Sequence, residues 1–406
     1  MVTGAGLLIA IIGLGARYSF GVFLKSIETE FGLTRGSTSG IFSVYMLLCC
    51  VFSILGGWAL DRFGPRKVSF LMGSFTGLSL LLTSRANAIW QLLITYGLLL
   101  SLGTGALYTV VNSTASRWFD KKRGLVLGIT TSGGGLGAIV MAPVAAYLIS
   151  NLDWRTAFAV MGLISWPVIA AMSLLLRKDP SEMGLLPDGV KSDPIRTSKA
   201  NEEGIPQFTG PSLLQALKLS QFWFLSFIWL FLSLTVHLVF VHAVPYAVDT
   251  GIPPMDAAVI LSLIGGAGIV GRLAVGRVSD TIGRKALAIA CALLQAGVLV
   301  WFMYARELWM LYVFASSFGF LWGGLSTTVT ALIGDIFGMR SLGAIMGVMS
   351  VGWSLGAATG PAIGGFIFDM RGSYLTAFAV GASAMLVATL FAALVRAQPN
   401  PTKPVP

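Results

Sequence analysis

Charged residues are scarce in this chain of 406 residues. Lys and Arg number 27 and Asp and Glu number 17, so charged side chains make up 11% of the sequence, against roughly 25% in an ordinary soluble domain. A soluble fold of this length would need far more polar side chains to cover its surface. The 55% of hydrophobic residues and the mean hydropathy of +0.82 also exclude a disordered chain. The composition predicts an integral membrane protein surrounded by a lipid bilayer.

Cysteine and histidine are also scarce, with three and two residues respectively. Cys49 and Cys50 are adjacent and Cys291 stands alone, which excludes a disulfide framework and the ligand spacings of a metal site. The sequence offers neither a nucleophile–base pair nor a metal cluster in a polar pocket. We therefore expect that the protein is not an enzyme and that it uses no metal or cofactor.

Twelve long apolar runs divide the chain, and each is close to the length of about 20 residues that a helix needs to cross a membrane. The runs are continuously apolar and lack the alternation of a transmembrane β-barrel. We therefore predict an all-α membrane protein with twelve transmembrane helices, called segments 1 to 12. Their predicted ranges are 4–24, 38–60, 68–84, 88–115, 124–149, 156–176, 219–247, 257–276, 286–304, 308–333, 342–367 and 373–395.

Positive charges are distributed unequally between the two sides of the predicted segments. If the N-terminus is inside, 19 Lys and Arg residues fall on the cytoplasmic side and six on the opposite side. This asymmetry predicts that both termini are cytoplasmic, and it explains the net charge of +10 without a nucleic-acid partner. The other two cations, Arg17 and Arg272, lie within predicted segments, where none of the 17 acidic residues lies.

The chain also divides into two similar halves. Residues 177–210 contain four prolines and mixed charge, which predicts a cytoplasmic linker between a six-helix bundle at 1–176 and another at 211–406. The sequence GWALDRFGPRK at Gly57–Lys67 has a counterpart, GRVSDTIGRK, at Gly276–Lys285, and TAFAV occurs twice, 220 residues apart. Repeats with one common offset indicate two pseudo-symmetric bundles related by an axis along the membrane normal.

The pattern G-x-x-x-D-R-x-G-x-R-K between segments 2 and 3, with its weaker copy between segments 8 and 9, resembles the signature of the major facilitator superfamily. The sequences YSFGVFLKSIETEFG, SRWFDKKRGLVLGI, EMGLLPDG and VHAVPYAVDTGI resemble the bacterial monocarboxylate transporters, which are related to the oxalate/formate exchangers. Segment 11 lacks the lysine of the oxalate exchangers. It also carries GAATGPAIGG, a pattern that the drug antiporters have in segment 5. The resemblance covers essentially the whole chain and implies the major facilitator fold.

The resemblance implies a secondary active transporter in the inner membrane of a bacterium. It would move small organic monocarboxylates, such as lactate or pyruvate, by alternating access. We expect proton symport, since the predicted segments contain no acidic cluster of the kind that binds Na⁺. Two alternatives remain open, an exchanger of organic anions and a ligand sensor that does not transport. The expected partners are a small organic anion and protons, with a monomer as the functional unit.

Arg272 is the most informative candidate for the substrate site. A guanidinium within a membrane segment costs several kcal/mol, so it should face a cavity or a partner. No acidic residue lies deep within a segment, so an organic anion is the natural counter-charge, and a guanidinium matches the geometry of a carboxylate. The resemblance implies the same role, because the related transporters use an arginine here. The alternative is an arginine that extends to the nearby membrane surface.

Segment 1 supplies two further candidates, Arg17 and Tyr18, near the position where related transporters carry a lysine. Arg17 would be a second cation for the substrate, and the Tyr18 hydroxyl would donate a hydrogen bond to a carboxylate. The alternative for Arg17 is a structural charge that is bonded to backbone carbonyls of a neighbouring helix.

Segments 4 and 7 supply the remaining candidates. His242 precedes Pro245, where the helix should loosen, and histidine can carry a proton near neutral pH. His237 is the weaker of the two histidine candidates. Tyr108 and Asn112 are four residues apart and share one face of segment 4. For all of these, the alternative is a hydrogen bond that only holds helices together.

The two charged loops of the repeated pattern are expected to act as a cytoplasmic gate. The resemblance implies that they hold the two halves together when the transporter is open to the outside. Their acidic residues would then lie against helix N-termini of the other half, where the dipole favours an anion. The simpler alternative is that the charges only set the topology. The loop residues are Asp61, Arg62, Arg66 and Lys67, followed in the second half by Asp280, Arg284 and Lys285.

The cation asymmetry predicts which positions a membrane-impermeant thiol reagent reaches in intact cells. Single cysteines that replace Lys25, Arg85 or Arg306 should be labelled from outside. Cysteines that replace Lys191 or Lys285 should be labelled only after the cells are permeabilised. Labelling of the Lys191 position in intact cells would contradict the predicted orientation.

Overall fold

The computed structural model describes residues 2–119, 123–180, 210–338 and 342–396, and each regular element in these ranges is a helix. Most of the predicted linker lies outside the described residues. Within them, eleven helices are long and apolar enough to cross a membrane. The number is eleven because one of these helices contains both segment 2 and segment 3.

This helix, Arg35–Thr83, is 49 residues long and is interrupted at Gly64. Gly64 has φ 80° and ψ 163°, a conformation that glycine adopts without a Cβ clash. Pro65 follows as the first residue of the next helical part, where its missing N–H is not needed. The interruption separates segment 2 from segment 3, so the described residues form the twelve predicted segments.

The segments follow the predicted order, and most ends differ from the predicted ones by a few residues. A short helix, Leu213–Leu217, precedes segment 7. The helices of segments 1 to 6 are Val2–Tyr18 with Phe20–Phe31; 35–63; 65–83; Ile89–Leu92, Leu93–Leu99, Leu100–Thr104 and Leu107–Trp118; Arg123–Thr131 with Gly133–Asn151; and Trp154–Leu175. Those of segments 7 to 12 are Ser220–Asp249, Pro254–Ile282, Arg284–Tyr304, Leu308–Phe337, Leu342–Arg371 and Leu375–Leu394.

The two ends of the helical bundle differ in the residues that they contain. On one side, Trp118 Nε1 donates a hydrogen bond to the carbonyl oxygen of Arg177, so the ends of segments 4 and 6 meet there. Gly210, at the far end of the linker, lies against the carbonyl of Phe337 at the end of segment 10. We call this the linker side. We call the opposite side the Arg35 side, after the residue that begins segment 2.

Glycines allow segments of the two halves to pack closely. Gly21 of segment 1 lies against segment 7, Gly135 of segment 5 against Gly265 of segment 8, and Gly365 of segment 11 against segment 2. At each of these glycines, a Cβ atom would lie between 2.5 and 2.7 Å from a carbonyl oxygen of the opposing segment. Small residues at such crossings are typical of packed membrane helices.

Three segments of the N-terminal half are interrupted near one another. Segment 1 is interrupted at Ser19, segment 4 at Gly105 and segment 5 at Ser132. The N–H groups of these three residues still bond to carbonyl oxygens of the preceding turn, so the interruptions are local irregularities of otherwise continuous segments. Tyr18 and Tyr108 lie beside two of these interruptions, which positions them for the site described below.

Gly271 of segment 8 and Gly297 of segment 9 form a matched pair for testing the glycine packing. A Cβ on Gly271 would overlap the backbone of Phe320 in segment 10, whereas a Cβ on Gly297 would meet no atom within 4 Å. Gly271→Ala should lower the free energy of unfolding by about 1–3 kcal/mol. Gly297→Ala should leave it unchanged or raise it by up to about 1 kcal/mol through helix propensity. Thermal unfolding in detergent measures both, and equal melting temperatures would contradict this account.

Candidate functional site

Arg17, Tyr18, Tyr108 and Arg272 lie around one point between the two halves, which we call the central cluster. Gly134 of segment 5 makes room for both tyrosines, because its Cβ position would be 2.9 Å from the Tyr108 hydroxyl and 3.3 Å from the Tyr18 ring. The Tyr108 hydroxyl is also within electrostatic range of both guanidinium groups. The structure therefore brings together four of the six residues predicted for the substrate site.

A series of aromatic contacts joins the two ends of the central cluster. The Tyr18 ring lies 4.5 Å from the Phe240 ring, measured between centroids, and the Phe240 ring lies 5.6 Å from that of Trp322. The Arg272 guanidinium carbon is 5.2 Å from the centroid of the Trp322 ring. Phe240 and Trp322 belong to segments 7 and 10 of the C-terminal half and Tyr18 to segment 1, so both halves line the cluster. The indole attracts the guanidinium through its quadrupole, which orients Arg272 without neutralising its charge.

Arg272 contacts the opposite half of the protein. Its Nη1 donates a 2.9 Å hydrogen bond from segment 8 to the carbonyl oxygen of Thr131 in segment 5. The side chain is half-buried, and no carboxylate of the described residues forms an ion pair with it. A guanidinium has several N–H donors, so the contact with Thr131 leaves further donors for an anion.

Arg17 is more deeply buried, with 8% of its surface exposed. Its Nη2 lies 2.9 Å from Nε2 of His237 in segment 7, so this contact also joins the two halves. The Arg17 Nε has no hydrogen-bond partner, and no carboxylate in the described part of the chain pairs with the guanidinium. The central cluster therefore carries two positive charges without a paired negative one.

A second group of polar and charged residues joins the two halves on the Arg35 side. We call this group the Arg35 cluster, and its members are Glu28, Arg35, Asp249, Asp369 and Tyr374. Arg35 is 4% exposed. Its Nη1 donates hydrogen bonds to Asp249 at 3.0 Å and to the Tyr374 hydroxyl at 2.7 Å, and its Nε lies 2.8 Å from a Glu28 carboxylate oxygen. Asp249 and Tyr374 belong to segments 7 and 12, so this arginine joins segment 2 to the C-terminal half.

Asp369 strengthens the same closure from the end of segment 11. Its two carboxylate oxygens accept hydrogen bonds from the backbone N–H groups of Arg35 and Gly36, at 2.9 and 2.8 Å. These are the first residues of segment 2, where a helix has unpaired N–H groups and a positive dipole end. Asp369 thus caps a helix of the other half. Lys25 of segment 1 pairs with Asp249 of the same cluster at 2.6 Å.

His242 belongs to this closed side and does not contact Arg272. The ring is fully buried, with Nε2 2.8 Å from the carbonyl oxygen of Pro361 and Nδ1 3.0 Å from the Tyr374 hydroxyl. A carbonyl can only accept, so Nε2 carries the hydrogen and Nδ1 accepts from Tyr374. The Tyr374 hydroxyl in turn accepts from Arg35, and His242 therefore extends the Arg35 cluster into segment 11.

Sequence reasoning missed the Arg35 cluster, since it counted Arg35 only as one of the six cations opposite the cytoplasmic side, between predicted segments 1 and 2. The structure buries this side chain because three acidic residues, Glu28, Asp249 and Asp369, lie at the ends of segments 1, 7 and 11. Their common position at the same side of the membrane was present in the predicted topology. It was the available signal for a charged closure.

Asn112 lies one helical turn from Tyr108 and contacts segment 5. Its Oδ1 accepts a 3.1 Å hydrogen bond from the hydroxyl of Thr130. This contact joins segments 4 and 5 of the same half, as expected of a polar residue that holds membrane helices together. A role for Asn112 in substrate binding stays a prediction.

The loops of the repeated pattern lie on the linker side. Asp61 accepts a 2.9 Å hydrogen bond from Arg117 of segment 4, and Arg284 pairs with Asp335 of segment 10. Each of these pairs lies within one half, at corresponding places of the two bundles. The side chain of Asp280 is outside the described residues, and the role of the loops as a gate stays a prediction. The other loop residues are Arg62, Arg66 and Lys67, which are exposed, and Lys285, which is half-buried.

Comparison with known proteins agrees with this architecture. Residues 6–305 and residues 244–406 each match the sequence profile of the Major Facilitator Superfamily, and the two matches together extend over nearly the whole chain. The chain belongs to the Major Facilitator Superfamily. The predicted superfamily and fold are thereby confirmed, and so is the prediction of a transporter rather than an enzyme.

One solved structure and several relatives match this chain over most of its length and of their own. A bacterial homologue of the human lysosomal transporter Spinster, in an inward-facing and unoccupied conformation, superimposes with a TM-score of 0.71 at 17% identity, over 97% of this chain and 94% of that one. Monocarboxylate transporter 13 of Bos taurus is 25% identical over 92% of this chain and 83% of its own length. Monocarboxylate transporter 12 of Rattus norvegicus is 25% identical over 96% and 84%. An uncharacterised transporter of the superfamily from Escherichia coli, YhjX, is 23% identical over 87% and 84%.

Removal of the Asp369 cap should increase the separation of the two halves on the Arg35 side. Asp369→Ala deletes the acceptor of two N–H groups and should weaken the closure by about 1–3 kcal/mol. Spin labels at positions 85 and 306, in a protein whose three native cysteines are replaced, would report the separation by pulsed electron resonance. We expect a larger population of long distances in Asp369→Ala. The control Asp256→Ala should match the parent, and a parent-like distribution in Asp369→Ala would exclude this role.

Proposed function

We propose that this superfamily member is a secondary active transporter that moves small organic monocarboxylates, such as lactate or pyruvate, by alternating access together with protons. The observation that carries the proposal is the unpaired positive charge of the central cluster. Arg17 and Arg272 lie between the halves, with the Tyr108 hydroxyl within electrostatic range of both. A buried cation without a carboxylate partner is costly, and a substrate carboxylate would supply the missing charge.

The chemistry of the cluster suits a carboxylate with a small organic group. Guanidinium N–H groups bind carboxylate oxygens with good geometry, and the tyrosine hydroxyls can donate to the same oxygens. Phe240 and Trp322 offer an apolar surface next to Arg272, against which an alkyl or keto group can pack. The names of the related monocarboxylate transporters support the same substrate class.

The exposure of the cluster suggests the route by which a substrate reaches it. Arg17 and Tyr18 are buried, whereas Tyr108 and Arg272 are half-buried, and the Arg35 cluster closes the other side. Access is therefore from the linker side in this conformation. With both termini in the cytoplasm of a bacterium, this conformation is open to the inside. Residues 1–176 and 211–406 would rock about the cluster, the linker 177–210 would connect them, and the charged loops would close the linker side.

An exchanger of organic dianions is the second candidate, and the presence of two guanidinium groups favours it. One Nη of Arg17 is already bonded to His237, however, and segment 11 supplies no lysine. A single carboxylate bound mainly by Arg272 fits these contacts better. Saturable uptake of labelled oxalate at a rate well above that of pyruvate, lactate and formate would favour the exchanger.

Substitution of Arg272 tests the proposed substrate contact. Arg272→Gln should abolish pyruvate uptake into proteoliposomes, and Arg272→Lys should reduce it severely, because an ammonium loses the two-pronged geometry. Bound ligand stabilises the folded state, so pyruvate should raise the melting temperature of the parent and of the control Arg277→Gln. Arg277 is exposed on the same segment.

The melting temperature without ligand distinguishes a variant that cannot bind pyruvate from one that cannot fold. Arg272→Gln should unfold close to the parent temperature and show no shift with pyruvate. Parent-like uptake and a parent-like shift in Arg272→Gln would place the anion site elsewhere. A variant that fails to fold would assign Arg272 a structural role through its bond to Thr131.

A further inference from the structure

The contact between Arg17 and His237 has a defined direction, because the partners of each imidazole nitrogen fix its role. The Ser233 hydroxyl, 3.3 Å from Nδ1, donates its own hydrogen to the carbonyl oxygen of Trp353 and can therefore only accept from the ring. His237 Nδ1 lies 2.8 Å from the carbonyl oxygen of Ser233. This oxygen can only accept, so Nδ1 carries a hydrogen. A guanidinium can only donate, so Nε2 accepts from Arg17 with its lone pair. The geometry therefore requires a neutral His237 with its hydrogen on Nδ1.

The surroundings of His237 offer no other group that would exchange a proton with it. The ring is fully buried and faces the rings of Phe42 in segment 2 and Trp353 in segment 11, at 6.2 and 5.8 Å between centroids. Arg17 of segment 1 is the charged group that acts on it, and no carboxylate of the described residues pairs with either side chain. Among the charged side chains of the described residues, Arg17 is thus the one to which His237 is linked. The titratable groups that act on Arg17 in turn are Tyr18, Tyr45, Cys49 and Tyr108.

Protonation of His237 would break this contact. A proton on Nε2 turns the acceptor into a donor, so the hydrogen bond from Arg17 is lost. Two positive charges would then lie side by side in a medium of low dielectric constant, where their repulsion is strong. The pair could remain only if an anion joined it. Arg17 is ready to receive one, because its Nε has no partner even in the neutral state.

We propose that His237 is the site of the coupled proton and that it controls Arg17. In the neutral state the imidazole holds the guanidinium, and in the protonated state it releases Arg17 to join Arg272 in binding the substrate carboxylate. The proton goes to His237 Nε2, and the carboxylate takes the position of the lost acceptor. One positive and one negative charge enter together, so the net charge of the site is unchanged. This inference rests on the proposed function, since it takes a monocarboxylate as the substrate.

The affinity of the purified protein for pyruvate as a function of pH tests the inference. The parent should lose affinity roughly tenfold for each pH unit above the range in which His237 is protonated. His237→Gln keeps an acceptor for Arg17 but cannot be protonated, so its dissociation constant should be independent of pH. It should also lose accumulation driven by a pH gradient while it retains exchange of labelled for unlabelled pyruvate.

The chain provides a matched control, because His242 is its other histidine. His242→Gln should keep the pH dependence of the parent. A pH dependence that persists in His237→Gln, or that disappears only in His242→Gln, would overturn the inference and leave the proposed function standing. If the parent binds neither pyruvate nor lactate at any pH, the proposed function fails and this inference fails with it.

A second measurement does not depend on the folding of a variant. With ¹⁵N-labelled histidine the parent gives signals from two side chains, which the spectrum of His242→Gln assigns. At neutral pH without pyruvate, His237 should show the neutral form with its hydrogen on Nδ1. Saturating pyruvate should convert it to the imidazolium form. A neutral His237 in the pyruvate complex would contradict the inference.

Discussion

A positive charge buried between two halves that must separate needs a compensating group, because an unpaired ion in a low-dielectric interior is costly. Three arginines at this interface differ in the compensation that they have. Arg35 has carboxylates, of which Asp249 belongs to the opposite half. Arg17 has the neutral imidazole of His237 and the ring of Tyr18. Arg272 has a backbone carbonyl and an aromatic ring. The charge is paired on the Arg35 side and unpaired in the central cluster, where we propose the anion site.

This arrangement has the energetics that alternating access requires. The groups of the Arg35 cluster lie at the ends of their segments, so water can replace their hydrogen bonds once the halves separate. Arg17 and Arg272 lie deeper, where water is a poorer substitute. A bound carboxylate would lower the free-energy cost of moving these two arginines between the two conformations of the transporter. A ligand can shift the equilibrium between two conformations when their free energies differ only slightly.

The sequence was sufficient for the features that depend on local composition. Apolar length predicted twelve segments, and the exact spacing of Asp61 and Asp280 predicted two related bundles. The separation of segments 2 and 3 was also predicted, and the structure places the break at Gly64. The positions of Arg35 and His242 could not be derived, because their partners in segments 7, 11 and 12 lie more than 100 residues away along the chain. Arg17 was recognised as an intramembrane cation, but its pairing with His237 depends on how the halves meet.

Electrically silent, proton-driven accumulation is the central claim of this account. The direct test is uptake of labelled pyruvate into proteoliposomes without internal anion, under an inward proton gradient with the membrane potential held at zero by valinomycin and equal potassium. The account predicts accumulation to a ratio set by the pH difference, abolished by a protonophore and unchanged when a potassium diffusion potential is imposed. Accumulation that follows the potential, or uptake that appears only when the vesicles are preloaded with an organic anion, would contradict it.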